Sequence, residues 1–231
     1  MALETVFLDA GGVLLYPNWW RVSQALAAHG VTISPEALMT ADPVARRELD
    51  DQRVIGGTTD ASRGWLYFDL VLAQGGIPRS DATGAALAEL HRYHTASNLW
   101  EYVPDYVVPA LERLRARGLR LVVVSNANGT LLKHMDRLDL TRRFDCVLDS
   151  ADEGVEKPDP RFFDIALSRS GARKETTIHV GDLYHVDVAG ARNAGLRPVL
   201  LDEADLRPDA DCPRVRTLDE LAARIAAGEF D

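Results

Sequence analysis

Polar side chains stand at or just beyond the ends of four short apolar runs in this sequence. They are Asp9 after Thr5–Leu8, Ser125 and Asn126 after Leu119–Val124, Lys157 in the loop beyond Cys146–Leu148, and Asp182, with Asp187 five residues later, after Thr177–Val180. Ligands of parallel α/β sheets bind beyond the carboxyl ends of the strands. The sequence therefore brings carboxylates, a hydroxyl and an ammonium group to one edge, where they can bind a charged ligand and react with it.

Each of these residues also has a purely structural explanation when it is taken alone. An aspartate after a strand commonly belongs to a turn or a helix cap, and Ser125 or Asp187 could cap the helix that follows it. Lys157 precedes Pro158-Asp159-Pro160, a good helix start, and could be a solvated loop charge. Their occurrence in order, each tied to a different strand end, favours one shared site.

The elements that would position these residues alternate between buried strands and amphipathic helices. The apolar runs named above, together with Pro198–Leu201, are short and rich in Val, Ile and Leu, which is typical of strands buried on both faces. Helical periodicity fits Val107, Leu111 and Leu114 and the segments 129–138, 160–169, 188–194 and 217–227. This alternation predicts an α/β fold, a doubly wound, Rossmann-like parallel sheet formed by residues 1–16 and 99–231.

Residues 17–98 interrupt that alternation and predict an inserted, all-helical domain. Helix-like stretches cover roughly 19–29, 35–52, 60–74 and 80–94, separated by breakers such as Gly56-Gly57-Thr58. Trp65, Phe68 and Leu72 form an apolar stripe at helical spacing, which we interpret as packing within a small bundle. An insertion directly after the first strand is expected to act as a cap.

Composition restricts the classes of partner. The chain has 231 residues, 46% of them hydrophobic, and a formal net charge of −9. This charge argues against nucleic-acid binding, and no apolar run approaches the roughly 20 residues that span a bilayer. The N-terminal residues lack the pattern of a signal peptide, and the two cysteines lack metal-type spacing. We expect a cytoplasmic protein with no nucleic-acid or membrane partner.

Four motifs then bring a family resemblance. FLDAGGV, VVVSNAN, EKPDP and HVGDLYHVD together resemble the motifs of the haloacid dehalogenase superfamily, in its phosphatase-like branch with a helical C1-type cap after the first strand. The resemblance covers nearly the whole chain. It implies a Mg²⁺-dependent hydrolase that acts on a small phosphorylated substrate through an aspartyl-phosphate, as a monomer or a homodimer.

The resemblance also implies a role for each motif residue. Asp9 would be the nucleophile, and Ser125 would donate its hydroxyl to the transferring phosphate. Lys157 would neutralise the negative charges of Asp9 and of the phosphate. Mg²⁺ would be bound by Asp9, Asp182 and the backbone carbonyl of Gly11. Phosphate would be bound by Asn126 and Gly12, together with amides from the start of the following helix. Asp187 would orient Lys157 or metal-bound water.

Gly11 departs from the pattern of that family. Most of its phosphatases carry a second aspartate two residues after the nucleophile, which protonates the leaving oxygen and later activates water. General acid–base catalysis of this kind typically contributes ~10²–10⁴-fold. Its loss fits a phosphatase for good leaving groups, or one whose acid comes from the cap or from the substrate.

Other interpretations of Gly11 remain open to different degrees. A degenerate member would bind a phosphorylated ligand without turnover. The dehalogenases of the superfamily lack the second aspartate and have a Ser-Asn pair like that of SNAN, but they use no metal and have no counterpart of Asp182. Phosphonatases need a cap lysine, and no lysine precedes Lys133. We favour the phosphatase.

Overall fold

The computed structural model describes residues 2–231, except for the side chains of residues 60 and 61. Within this range the chain forms two compact units: a sheet unit, which runs up to Tyr16 and resumes over Val103–Asp231, and a helical unit, Pro17–Tyr102. The helical unit extends past the boundary predicted at residue 98. The reason is that Leu99 is fully buried in the helical core and its carbonyl accepts a hydrogen bond from the Asn18 amide, 2.9 Å away.

Within residues 2–231, the sheet unit has one six-stranded sheet whose strands are all parallel. The strands are β1 (Thr5–Leu8), β2 (Arg120–Ser125), β3 (Cys146–Asp149), β4 (Thr177–Gly181), β5 (Arg197–Leu201) and β6 (Arg214–Val215). Their spatial order is β3-β2-β1-β4-β5-β6, which is a doubly wound arrangement. The chain order reverses between β1 and β4, so a ligand crevice is expected beyond these two strands.

The predicted α/β sheet is confirmed, with one strand added. The five apolar runs correspond to β1–β5 within one residue at each end. Strand β6 was not predicted because its two residues are too few to show any periodicity. In the described part of the chain, no helix is both long enough and apolar enough to span a membrane.

The helical unit consists, as far as the structure describes it, of five helices around their own core. They are α1 (Trp19–Ala28), α2 (Pro35–Leu49), α3 (Gln52–Gly57), α4 (Asp60–Gln74) and α5 (Asp81–Ser97). The stretch predicted as one helix over 35–52 ends at Leu49, and Asp51 then caps α3 by accepting a hydrogen bond from the Arg53 amide. Phe68 and Leu72 are buried in the core, with Trp65 partly buried against it.

Along the chain, the helices of the sheet unit lie between its strands, and the last of them follows β6. They are α6 (Val107–Ala116), α7 (Leu131–Arg137), α8 (Ser150–Glu153), α9 (Pro160–Ser170), α10 (Ala189–Asn193) and α11 (Leu218–Ala226). Helix α9 begins as predicted, since Asp159 caps it and Pro160 is its first residue. Phe162 and Phe163 on α9 pack against Phe7 of β1 in a fully buried cluster. This packing fixes α9 against the sheet.

Candidate active site

The strand register brings the predicted site residues to one edge of the sheet. Leu8, at the end of β1, pairs with Val123 of β2 on one side and with Val180 of β4 on the other. Asp9 therefore begins the loop beyond β1 beside the end of β4, and its amide donates to the Val180 carbonyl, 2.9 Å away. Asp9 thus lies at the reversal of strand order, where doubly wound folds bind their ligands.

Lys157 is the centre of a buried ion cluster. Its side chain is 1% exposed, and its Nζ lies 3.0 Å from Asp9 Oδ1 and 2.7 Å from Asp187 Oδ1. Burial lowers the pKa of Lys157, but the two carboxylates outweigh burial and hold that pKa above its ordinary value. The ammonium group is therefore charged, and Lys157 is a member of the site instead of a solvated loop charge.

Asp187 is the second carboxylate that contacts Lys157. Its Oδ1 accepts hydrogen bonds from Lys157 Nζ and from His179 Nε2, 3.0 Å away, and its Oδ2 accepts one from the Leu183 amide at 3.1 Å. Burial raises the pKa of Asp187, but the charge of Lys157 and the hydrogen bond from His179 outweigh it, so the pKa lies well below its usual range. Asp187 is an anion held by three donors and is not a helix cap.

Three carboxylates of this edge converge on a small volume. Asp9, Asp182 and Asp187 each offer an oxygen, and these three oxygens lie within 4.8 Å of one another. Carboxylate oxygens at this spacing suit a hard divalent cation. Both oxygens of Asp187 already accept hydrogen bonds from the protein. Asp9 is therefore a better candidate than Asp187 for contact with an ion.

Asp9 is better placed than Asp187 to meet a ligand. Its side chain is 14% exposed, whereas those of Lys157 and Asp187 are each 1% exposed. Burial raises the pKa of Asp9, and the Lys157 ammonium and a smaller hydrogen-bonding effect of the Ser125 hydroxyl oppose that rise. Ser125 itself is buried at the end of β2. The arrangement joins one accessible carboxylate to a fixed positive charge and a hydroxyl.

The loop after β2 is ordered by side chains from neighbouring loops. The Asn126 side chain donates to the Lys157 carbonyl at 2.9 Å and accepts from the Lys157 amide at 2.8 Å, so it fixes the main chain that carries the lysine. A phosphate-binding role for Asn126 stays a prediction. Ser125 does not cap α7: Asp149 accepts from the amides of Gly129 and Leu131, at 2.8 and 3.1 Å.

The family of the chain follows from comparison with known proteins. Residues 3–195 match the family model of the haloacid dehalogenase-like hydrolases. The chain belongs to this family. It is therefore a hydrolase of the haloacid dehalogenase (HAD) superfamily, as the four motifs predicted.

Individual HAD relatives are similar over most of the chain. Ribulose-1,5-bisphosphate 5-phosphatase of Halopiger xanaduensis is 36% identical over 172 residues, which are 72% of this chain and 70% of that protein. Human haloacid dehalogenase-like hydrolase domain-containing protein 3 is 32% identical over 194 residues, 82% of this chain and 75% of that one. Among solved structures, the putative HAD-hydrolase YfnB of Bacillus subtilis, bound to magnesium, is 19% identical with a TM-score of 0.68, covering 96% and 98% of the two chains. The last likeness shows the fold alone.

The two glycines of the first HAD motif differ in conformation. Gly12 has a left-handed φ of 70°, which favours glycine, and its carbonyl accepts a hydrogen bond from the Tyr16 hydroxyl at 2.9 Å. Gly11 is not among the described residues with positive φ, and it forms a bridge to Leu15. Gly12 therefore makes the turn after Asp9, whereas the φ angle of residue 11 does not require glycine.

Two residues of this HAD site have functions that the sequence did not indicate. Asp149, at the end of β3, orders the loop that follows Ser125. The donation of helix-start amides to a phosphate stays a prediction, and the amides of Gly129 and Leu131 bond to Asp149 in this structure. His179, which lies inside the apolar strand β4, contacts Asp187. Asp149 could have been identified from its position at a strand end, which is the observation that identified Asp9.

Gly181 is the glycine on which this geometry depends most directly. A Cβ added to Gly181 would lie 2.0 Å from Cγ of Asp187, so the carboxylate occupies the space of the missing side chain. Gly181→Ala should therefore displace Asp187, reduce hydrolase activity and lower the free energy of unfolding by about 1–3 kcal/mol. Urea unfolding measures the second effect.

Gly84→Ala is the matched control for that substitution. Gly84 lies within α5, and a Cβ there would meet no atom within 4 Å. Alanine should raise the free energy of unfolding by roughly 0.5–1 kcal/mol because it favours the helix. If Gly181→Ala were as stable and active as the wild type, the contact between Gly181 and Asp187 would not constrain the site.

Proposed function

We propose that the chain is a Mg²⁺-dependent phosphohydrolase that acts on a small phosphorylated metabolite through an aspartyl-phosphate on Asp9. The observation that carries this proposal is the buried ammonium of Lys157, 3.0 Å from the partly exposed carboxylate of Asp9. A fixed cation beside an accessible nucleophile suits an incoming phosphate group, which brings more negative charge to the site. The similarity to the Halopiger phosphatase supports a phosphate ester as the substrate class.

The donor set fits a magnesium ion. Mg²⁺ prefers oxygen ligands, and the oxygens of Asp9 and Asp182 belong to the carboxylate cluster whose members lie within 4.8 Å of one another. We assign the ion to these two carboxylates and the backbone carbonyl of Gly11. When bound, Mg²⁺ neutralises carboxylate and phosphate charge and lowers the pKa of Asp9, which burial raises.

The chain's own residues then divide the hydrolysis into two steps. One carboxylate oxygen of Asp9 attacks phosphorus, so that a P–O bond to Asp9 forms while the bond to the leaving oxygen breaks. Lys157 and Ser125 face the charge that spreads over the equatorial oxygens and stabilise it with hydrogen bonds. Water then attacks the aspartyl-phosphate, which releases inorganic phosphate and restores the Asp9 carboxylate.

Gly11 shapes the substrate range in this proposal. Without an acid at residue 11, the leaving oxygen departs unprotonated or takes its proton from the substrate or from the helical unit. Aryl phosphates, acyl phosphates and phosphoanhydrides meet the first condition. We also assign the helical unit the role of the cap that selects the substrate.

A second candidate function rests on the same glycine. A chain without the general acid could bind a phosphorylated ligand and regulate a partner without turnover. Hydrolysis of p-nitrophenyl phosphate with Mg²⁺, and its loss with EDTA, tests the choice directly. Activity that requires Mg²⁺ supports the phosphohydrolase, whereas phosphate binding without hydrolysis supports the second candidate.

Asp182→Ala gives the metal assignment its own test. Removal of this carboxylate should raise the Mg²⁺ concentration for half-maximal activity by about 100-fold or more, because the ion would lose one of its two protein carboxylates. Titration of p-nitrophenyl phosphate hydrolysis with Mg²⁺ measures the change, with Asp209→Ala at an exposed position as the control. Unchanged metal dependence in folded Asp182→Ala would contradict the assignment and favour the metal-free chemistry of the dehalogenases.

A further inference from the structure

His179 is a buried polar residue of β4 that the proposed hydrolysis does not use. Its side chain is fully buried, and its ring lies edge-to-face on Phe163 with centroids 4.9 Å apart. Nε2 lies 3.0 Å from Asp187 Oδ1. Nδ1 is buried with no hydrogen-bond partner in the described part of the chain.

These contacts fix the protonation of the imidazole ring. Asp187 accepts hydrogen bonds from Lys157 Nζ and the Leu183 amide, so its carboxylate is ionised and Nε2 of His179 must donate. A proton on Nδ1 would be a buried donor without an acceptor, which is unfavourable. His179 is therefore neutral, with its proton on Nε2.

The hydrogen bond from His179 Nε2 contributes to the position of the Asp187 carboxylate. The Asp187 carboxylate is close enough to Asp9 and Asp182 to join their cluster. His179 and Lys157 donate to the same oxygen, Oδ1, at 3.0 and 2.7 Å, and this pair of donors holds it against the ammonium group. The second oxygen is held by the Leu183 amide at 3.1 Å. His179 thus helps to hold the Asp187 carboxylate against the Lys157 ammonium.

We infer that His179 is a positioning residue of the active site, which aligns Lys157 with Asp9 by holding Asp187 through its Nε2–H. The inference rests on the proposed phosphohydrolase function. We expect the effect in kcat, because Lys157 would face the equatorial oxygens whose charge must be stabilised in the transition state of phosphoryl transfer. Loss of a hydrogen-bond partner that orients a metal ligand typically costs about 10–100-fold in activity, and we expect a loss of the same order for a partner that orients Lys157.

Three substitutions separate positioning from packing. Glutamine places an N–H donor where Nε2 of histidine lies, asparagine places one nearer the position of Nδ1, and leucine supplies none. We expect His179→Asn and His179→Leu to lower kcat by about 10–100-fold with KM near the wild-type value, and His179→Gln to restore most of kcat. Ile178→Ala, on the opposite face of β4, controls for stability: it should lower the melting temperature without lowering kcat.

A measurement that is independent of turnover completes the test. In ¹⁵N-histidine-labelled wild-type protein, the resonance that disappears in His179→Gln should show the Nε2–H tautomer at pH 7. The opposite tautomer, or a ring protonated on both nitrogens, would overturn the inference even if the protein hydrolyses no substrate. An inactive wild type with the expected tautomer would count against the proposed function while retaining the contact. Equal kcat in an active wild type and all three folded variants would overturn the positioning role alone.

Discussion

Replacement of Asp9 by asparagine should lower kcat/KM for every phosphate substrate by about 10⁴-fold or more. The amide cannot attack phosphorus and is a poorer ligand for Mg²⁺. The fold should persist, because Lys157 keeps Asp187 as a partner at 2.7 Å when Asp9 loses its charge. Steady-state kinetics with p-nitrophenyl phosphate measure the loss, and thermal melting checks the fold.

The covalent intermediate offers a direct check on the same residue. Borohydride reduces an acyl phosphate, so treatment of the wild type during turnover should alter the mass of the peptide that carries residue 9. The variant should show no such change. Asp209→Asn, at an exposed position, serves as the control and should keep wild-type kinetics. Substantial turnover by folded Asp9→Asn would mean that another group is the nucleophile.

The residues of this site could be predicted from the sequence where they follow an apolar run or belong to a family motif. Asp9, Ser125 and Asp182 follow apolar runs that the sequence identifies as buried strands, and parallel strands end at the same edge of the sheet. Lys157 lies in a loop, and the family motif gave its place. The structure brings the Lys157 ammonium to Asp9 and Asp187. Their catalytic roles stay predictions.

Contacts between residues that are far apart in the sequence could not be predicted from apolar runs or motifs. His179 lies inside an apolar strand, where periodicity predicts only packing, and its bond to Asp187 depends on how the turn after β4 folds back. That turn is a short π-helical segment, Tyr184–Val188, and Gly181 leaves room for the carboxylate against the strand. The amide partners of Asp149 likewise lie on the loop of another strand. Neither contact produces a periodic pattern in the sequence from which it could be predicted.

Gly11→Asp should raise the ratio of kcat/KM for alkyl phosphates over aryl phosphates by about 100-fold or more. An alkoxide is a far more basic leaving group than a phenolate, so the alkyl ester gains most from a proton delivered in the transition state. The new carboxyl group would stand where most phosphatases of the family carry their acid. The backbone carbonyl assigned to Mg²⁺ need not move.

The conformation of residue 11 makes this substitution a fair test. Gly12 has the left-handed φ of 70°, and Gly11 does not, so aspartate at residue 11 meets no backbone penalty of that kind. The remaining cost is repulsion between the new carboxylate and Asp9, which the Lys157 ammonium, 3.0 Å from Asp9, partly offsets. Gly11→Asn introduces a side chain of the same size without an acidic proton. It should leave the alkyl-to-aryl ratio at the wild-type value.

The comparison of the two variants decides what limits this enzyme. A raised ratio in Gly11→Asp alone assigns the limit to the missing leaving-group acid, since asparagine reproduces the bulk but not the proton. A ratio unchanged or lowered in Gly11→Asp, with circular dichroism showing an intact fold, would contradict that account. The proton would then come from the helical unit or the substrate if the wild type turns over alkyl phosphates. If the wild type turns over neither class, the binding function without hydrolysis becomes the better explanation of Gly11.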